Sequence, residues 1–222
     1  MRLHFTLSPN EQPVPFAYQH HLVGAFHKWI GRDNELHDRV SLYSLSWLDN
    51  GRLARNGFEF PHGAHWFISL HDESLVGHIV NRALAQPEVC FGMRVTRIEQ
   101  QATPHFDGYH TFKVGSPVLA RGKEVAGKVK HLLYSDPEAD EVLTTTLQHK
   151  MDKASLADVH KNVQVRFDRT YRGAKTKLVR IKEIESRASI CPVIIEGTPE
   201  AVAFAWNVGV GHSTGSGFGC LL

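Results

Sequence analysis

Gly209-Val210-Gly211-His212-Ser213-Thr214-Gly215-Ser216-Gly217-Phe218-Gly219 holds five glycines in eleven residues and no acidic side chain. Glycine reaches backbone angles closed to other residues, and successive free N–H groups form a concave nest for an anion such as phosphate. A helix leads into the stretch. Thr198 reads as its N-cap, Pro199 as its first-turn proline, and Ala201, Val202, Ala205 and Trp206 as its apolar stripe. Gly209 fits the position just past the helix end. A loop on that side meets the negative end of the helix dipole, and it lacks a Gly-Lys-Ser/Thr ending, so a P-loop is excluded. Phosphate contact then falls to loop N–H groups and to basic residues elsewhere. Phe218 and Cys220-Leu221-Leu222 read as a short strand folding back.

Upstream, Leu3, Phe5 and Leu7 alternate with polar neighbours, which predicts a half-buried strand. Leu22, Val23, Phe26, Trp29 and Ile30 share one face of a helix spanning about Tyr18 to Ile30. Strands are expected at Ser41 to Trp47 and Ala64 to Leu70. A helix capped by Asp72 follows, then a strand at Met93 to Glu99. That is the split βαβ order of a ferredoxin-like domain. The second half reads less cleanly. A strand at Thr111 to Leu119 precedes a helix capped by Asp136 with Pro137 in its first turn. Val163 to Phe167 and Lys177 to Ile181 suggest a hairpin around Thr170 to Ala174, and Ile190 to Ile195 a buried strand. The expected fold class is α+β, two tandem ferredoxin-like (RRM-like) βαββαβ domains over residues 1–103 and 104–222.

With 222 residues and 42% hydrophobic content, the chain can bury a proper core. No apolar run is long enough to span a membrane. Cys90, Cys191 and Cys220 form no Cys-x-x-Cys pair, which points to a reducing, cytoplasmic setting and no metal ribbon. Net charge is +2, so a nucleic-acid site has to come from local clustering. Such clustering exists between Lys161 and Arg187, where nine basic residues face Asp168, Glu183 and Glu185. On a hairpin, Arg166, Arg172, Lys175 and Lys177 would gather toward the tip and lie against an RNA stem. Arg121, Lys123, Lys128 and Lys130, with Gly122 and Gly127, read as a second, flexible loop that contacts RNA or is merely solvated. His62 and His65 lack a third ligand, and no acidic metal cluster is evident.

Histidine supplies the remaining chemistry. His20, Gly24 and His27 share one edge of the first helix, and His37 follows. Two imidazoles can act as base and acid near neutral pH. With fifteen histidines in the chain, spacing alone favours a chance surface group.

The terminal pattern, glycine-x-glycine, a short polar gap, then Gly217-Phe218-Gly219, resembles the CRISPR-associated endoribonucleases that cut precursor CRISPR RNA at its repeats, in the RAMP superfamily. The resemblance implies two ferredoxin-like domains and a metal-independent cut with no cofactor. It places a general-base histidine just after the first helix, where Leu36-His37-Asp38 stands. A tyrosine late in that helix often assists. His27 occupies its place and becomes the acid partner, with His20 or His21 as alternatives. A downstream lysine that steadies the transition state is matched weakly by Arg39, with Lys28 as fallback. RNA contacts are expected from Arg166, Arg169, Arg172, Lys175 and Lys177, and from Gly209, Gly211, His212, Ser213, Gly215, Gly217, Phe218 and Gly219. The implied partner is CRISPR repeat RNA, as precursor and mature guide, with other CRISPR effector subunits and a homodimer left open. The alternative is a non-catalytic RAMP subunit that binds RNA.

Overall fold

The computed structural model describes residues 1–31, 40–125, 128–181 and 183–222. The first half runs β1 (Arg2–Leu7), α1 (Gln19–Ile30), β2 (Tyr43–Leu45), β3 (Arg52–Ala54), β4 (Gly57–Glu59), β5 (Ala64–Leu70), α2 (Leu75–Ala85), β6 (Glu88–Cys90) and β7 (Met93–Gln101). Its sheet has the order β2-β5-β1-β7-β6. Setting aside the β3–β4 hairpin and the edge strand β6, the order is second, third, first, fourth, that of two interlocked split βαβ units. β1 lies at the centre, antiparallel to both β5 and β7. Leu3, Phe5 and Leu7 point under α1 and α2 into a core with Phe26, Trp29 and Trp66. That burial is what the period-two pattern of β1 and the helical stripe of α1 encode.

The second half runs β8 (Tyr109–Phe112), β9 (Ala120–Val125), β10 (Lys128–Leu132), α3 (Glu138–Lys153), β11 (Gln164–Phe167), β12 (Lys175–Ile181), β13 (Ile184–Ile190), β14 (Val193–Glu196) and α4 (Pro199–Val208). The sheet order β11-β14-β8 repeats second, third, first. The fourth place is taken by the residues after the glycine loop. Leu221 bridges Val114, Gly115 N–H donates to Cys220 O at 2.8 Å, and Leu222 N–H to Lys113 O at 2.9 Å. The glycine loop is therefore the connection from α4 to a vestigial fourth strand, and the fold is two tandem ferredoxin-like domains. Thr198 caps α4 as expected, its Oγ1 accepting from Ala201 N–H at 3.2 Å.

The hairpin expected around Thr170 to Ala174 does not form. β11 pairs with β14 in the sheet, and β12 pairs with β13 instead. The misreading has a physical cause. The β12–β13 ribbon stands outside the main cores, and its only buried apolar side chains among the described residues are Val179 and Ala188, packed against Leu119 and Phe218. Its exposed positions mix Lys175, Lys177 and Arg180 with Leu178 and Ile184, so no apolar alternation marks it. The basic stretch expected as a flexible loop is the β9–β10 hairpin.

The two halves are pinned through Arg2. This buried guanidinium lies between the rings of Phe67 and Trp206, at 4.1 and 3.9 Å. Its Nη2 donates to Leu221 O at 2.7 Å and its Nε to Ser69 Oγ at 2.8 Å. His71 packs edge-on against Phe204 nearby.

Candidate functional site

The glycine loop lies against the first half of the chain. Trp47 Nε1–H donates to Gly217 O at 2.8 Å, and Ser44 Oγ–H to Cys220 Sγ at 3.4 Å. A side chain at Gly215 would strike Ser41 and the Tyr43 hydroxyl. Only some of the loop N–H groups are spent within the protein. Those of Gly209, Val210, His212, Ser216, Gly217 and Gly219 donate to carbonyls within the protein. Much of its glycine content therefore serves close packing. Gly219 illustrates this: φ is +62°, and an added Cβ would enter the carbonyl oxygen of Val210.

A lysine supports the loop from below. Lys150 on α3 is buried, and its ammonium donates to Val208 O at 3.0 Å, Gly209 O at 3.3 Å and Thr214 Oγ1 at 2.9 Å. The first two are carbonyls at the α4 C-terminus, which lack helical partners and attract a cation. Burial pushes Lys150 down to about 7. Arg121 holds the other side, with Nη2 to Ser213 Oγ at 3.1 Å and its backbone N–H to His212 Nδ1 at 3.3 Å.

α1 borders the loop. Gln19 approaches the Gly217 position, and Gln19, Val23 and His27 fall within a sector of roughly 80° of the helix. His20, Gly24 and His27 lie at the edge of the buried stripe, and Gly24 is exposed with no atom within 4 Å of an added Cβ. His27 is half-buried beside Phe26, in the last turn, the end of a helix that favours cationic side chains. The His20 ring packs on His21 with centroids 3.9 Å apart, and its Nδ1 is buried with no hydrogen-bond partner among the described residues. His21 is held below its ordinary value by burial and by His20. Lys28 donates to Glu88 O at 2.6 Å. His37 and Arg39 lie outside the described residues. Ser41, which meets Gly215, is the second described residue after that segment.

The basic candidates separate. Arg166 is exposed on β11, while Arg172 precedes β12 and Lys175 and Lys177 stand exposed along it. Arg166 thus sits on the sheet, Lys175 and Lys177 on the ribbon and Arg172 before it, away from the ribbon's end at the Ile181–Ile184 pair. Arg169 is committed elsewhere, gripping Asp140 through two bonds of 2.6 and 3.1 Å and the Asp136 carbonyl at 3.0 Å. Among the described residues, no three His, Cys, Asp or Glu side chains are arranged to hold a metal ion, and no helix is long and apolar enough to cross a membrane.

Comparison with known families decides the relationship. The family model for the CRISPR associated protein Cas6, C-terminal, matches residues 100–222, more than half of the chain. The chain belongs to the Cas6 family. Solved structures share its fold across the whole chain. A Cas6-related protein from Pyrococcus furiosus aligns with TM-score 0.86 at 20% identity, covering 100% of this chain and 97% of that one. A RAMP protein binding different RNA substrates gives 0.84 at 19%, covering 100% and 98%. A Cas6 product complex gives 0.67 at 14%, covering 100% and 98%. No curated protein matches it by sequence.

In this Cas6 chain the residue that sequence reasoning passed over is Lys150. Its signal was present, because it lies seven residues after Leu143 on the stripe that also carries Ala139, Leu147 and Met151. A lysine at a core position is a buried, partnered lysine. The packing role of the loop is also testable. Gly219→Ala is expected to cost about 2–4 kcal/mol through steric strain at a positive φ, read as a lower urea midpoint. An unchanged midpoint would mean that the turn is not constrained.

Proposed function

We propose that this Cas6 chain is an endoribonuclease that cuts CRISPR repeat RNA, without a metal ion, to release mature guide RNAs for antiviral defence. The observation that carries the reading is membership of the Cas6 family through residues 100–222. The histidine-lined edge of α1 beside the glycine loop supports it. The RNA supplies the nucleophile. His37 takes the proton of the 2′-hydroxyl, and the oxygen attacks the adjacent phosphorus. His27 gives a proton to the departing 5′-oxygen, and Arg39 or Lys28 offsets the charge on the crowded phosphate. The products are a 2′,3′-cyclic phosphate and a 5′-hydroxyl. His20, with its unpartnered buried Nδ1, is the alternative acid. The exposed Lys175, Lys177, Arg172 and Arg166 would hold RNA phosphates, whereas Arg169 acts through Asp140 to fix the turn after β11.

The test is incubation of purified protein with repeat RNA from its own array in excess EDTA. The expected result is one cut, ending in a cyclic phosphate that resists labelling at the 3′ end. Tight binding with no cut would assign the chain to the non-catalytic RAMP subunits. A cut that requires added magnesium would overturn the mechanism.

A further inference from the structure

The β9–β10 hairpin and the outer face of α3 enclose a cleft of about 750 Å³, next to the glycine loop. That size lies within the roughly 300–1,000 Å³ of small-molecule sites. Its floor is apolar. Leu132 is buried there, Val142 comes from α3, and Gly122 keeps the hairpin backbone against Leu132. Its lip is cationic, carrying Arg121, Lys123 and Lys130. Lys130 is partly neutralised by Glu138 at 3.2 Å. Arg121 and Lys123 have no carboxylate partner among the described residues. His212 also lines the cleft. Its Nδ1 accepts the Arg121 backbone N–H, so its Nε2–H is left to donate. Glu141 and Thr145 on α3 add acceptors opposite the lip. An apolar floor, cations along one lip and a few acceptors match the chemistry of a nucleotide extruded from a single strand.

We infer that this cleft holds one unpaired nucleotide of the RNA, with its base on Leu132 and Val142 and its phosphate against Arg121 and Lys123. The inference rests on the RNA-cutting reading and adds a subsite to it. Because Arg121 also holds Ser213, and His212 belongs to the glycine loop, the subsite joins the loop through two side chains. A nucleotide seated there fixes the RNA register relative to α1.

The test uses the full chain and its repeat RNA, with 2-aminopurine placed at one position after another. Wild type is expected to change the fluorescence of one unpaired position on binding. Val142→Trp fills the floor, and Lys123→Glu reverses the lip at an exposed site, so the second variant serves even where the first does not fold. Each is expected to abolish that change and to weaken RNA binding by roughly tenfold. RNA bound by both variants with wild-type affinity and an unchanged fluorescence pattern would overturn the subsite alone and leave the endoribonuclease reading standing. That outcome would also follow if the cleft served another protein. AMP binding to wild type without competition from RNA would likewise overturn it. Failure of wild type to bind repeat RNA would overturn both readings together.

Discussion

Replacing His37 with alanine is expected to slow cleavage of repeat RNA in EDTA by about 10²–10⁴-fold, the usual contribution of a general base. RNA affinity should stay within a factor of about two, because one imidazole adds little to binding spread over many phosphate contacts. His27→Ala should give a loss of similar size through the other half of the reaction. The two variants are separable by pH. Loss of the base removes the acidic limb of a bell-shaped rate profile, and loss of the acid removes the alkaline limb. A leaving group with a low pKa at the 5′-oxygen should rescue only the variant that lacks the acid. Equal rates in His37→Ala and wild type would displace the base to His20, His21 or His27. If His20→Ala, and not His27→Ala, erased the alkaline limb, the acid would be His20.

Lys150→Met is expected to lower stability by about 3–5 kcal/mol, the cost of leaving three buried acceptors without a donor at roughly 1–3 kcal/mol each. Methionine fills the same space but leaves Val208 O, Gly209 O and Thr214 Oγ1 without their donor. For a chain of this length that is a fall of roughly 10 °C in Tm. The effect also has a pH signature. Lys150 is pushed from 10.5 down to about 7 by burial, so between those values the unfolded chain holds a proton that the folded chain has released. Stability therefore rises with pH across that window, the unfolded state binding the extra proton. In Lys150→Met this component of the rise should be absent. Equal urea midpoints for the two proteins at pH 7 would show that Lys150 does not hold the loop.

The first domain was legible because its code is a burial code. The alternation in β1 and the stripe of α1 follow directly from one face of each element being dry. The same logic read α4 and its cap, and the return of Cys220 to Leu222 to the sheet. It failed where burial is slight. The described apolar side chains that the β12–β13 ribbon buries are Val179 and Ala188, beside the buried Ser186 and Ser189, and its pairing is set by main-chain bonds that leave no apolar period. Site chemistry was harder for another reason. Arg169 and Lys150 look like any other cations in sequence, and only their long-range partners, Asp140 and the end of α4, separate a structural cation from an RNA-facing one. The glycine loop was recognisable as a motif, but its inward N–H bonds to Pro117 and Leu119, and the bonds it accepts from Ser44 and Trp47, join residues that no local reading brings together.

Arg2, clamped between Phe67 and Trp206 and tied to Leu221, has a consequence for recognition. Domains joined by a thin polar seam swing, whereas a dry, bonded seam holds them together. Here the seam closes as the chain folds, before any nucleic acid arrives. On the RNA-cutting proposal the protein is a mould rather than a hand, and the bending, unstacking and selection fall to the RNA that has to fit it.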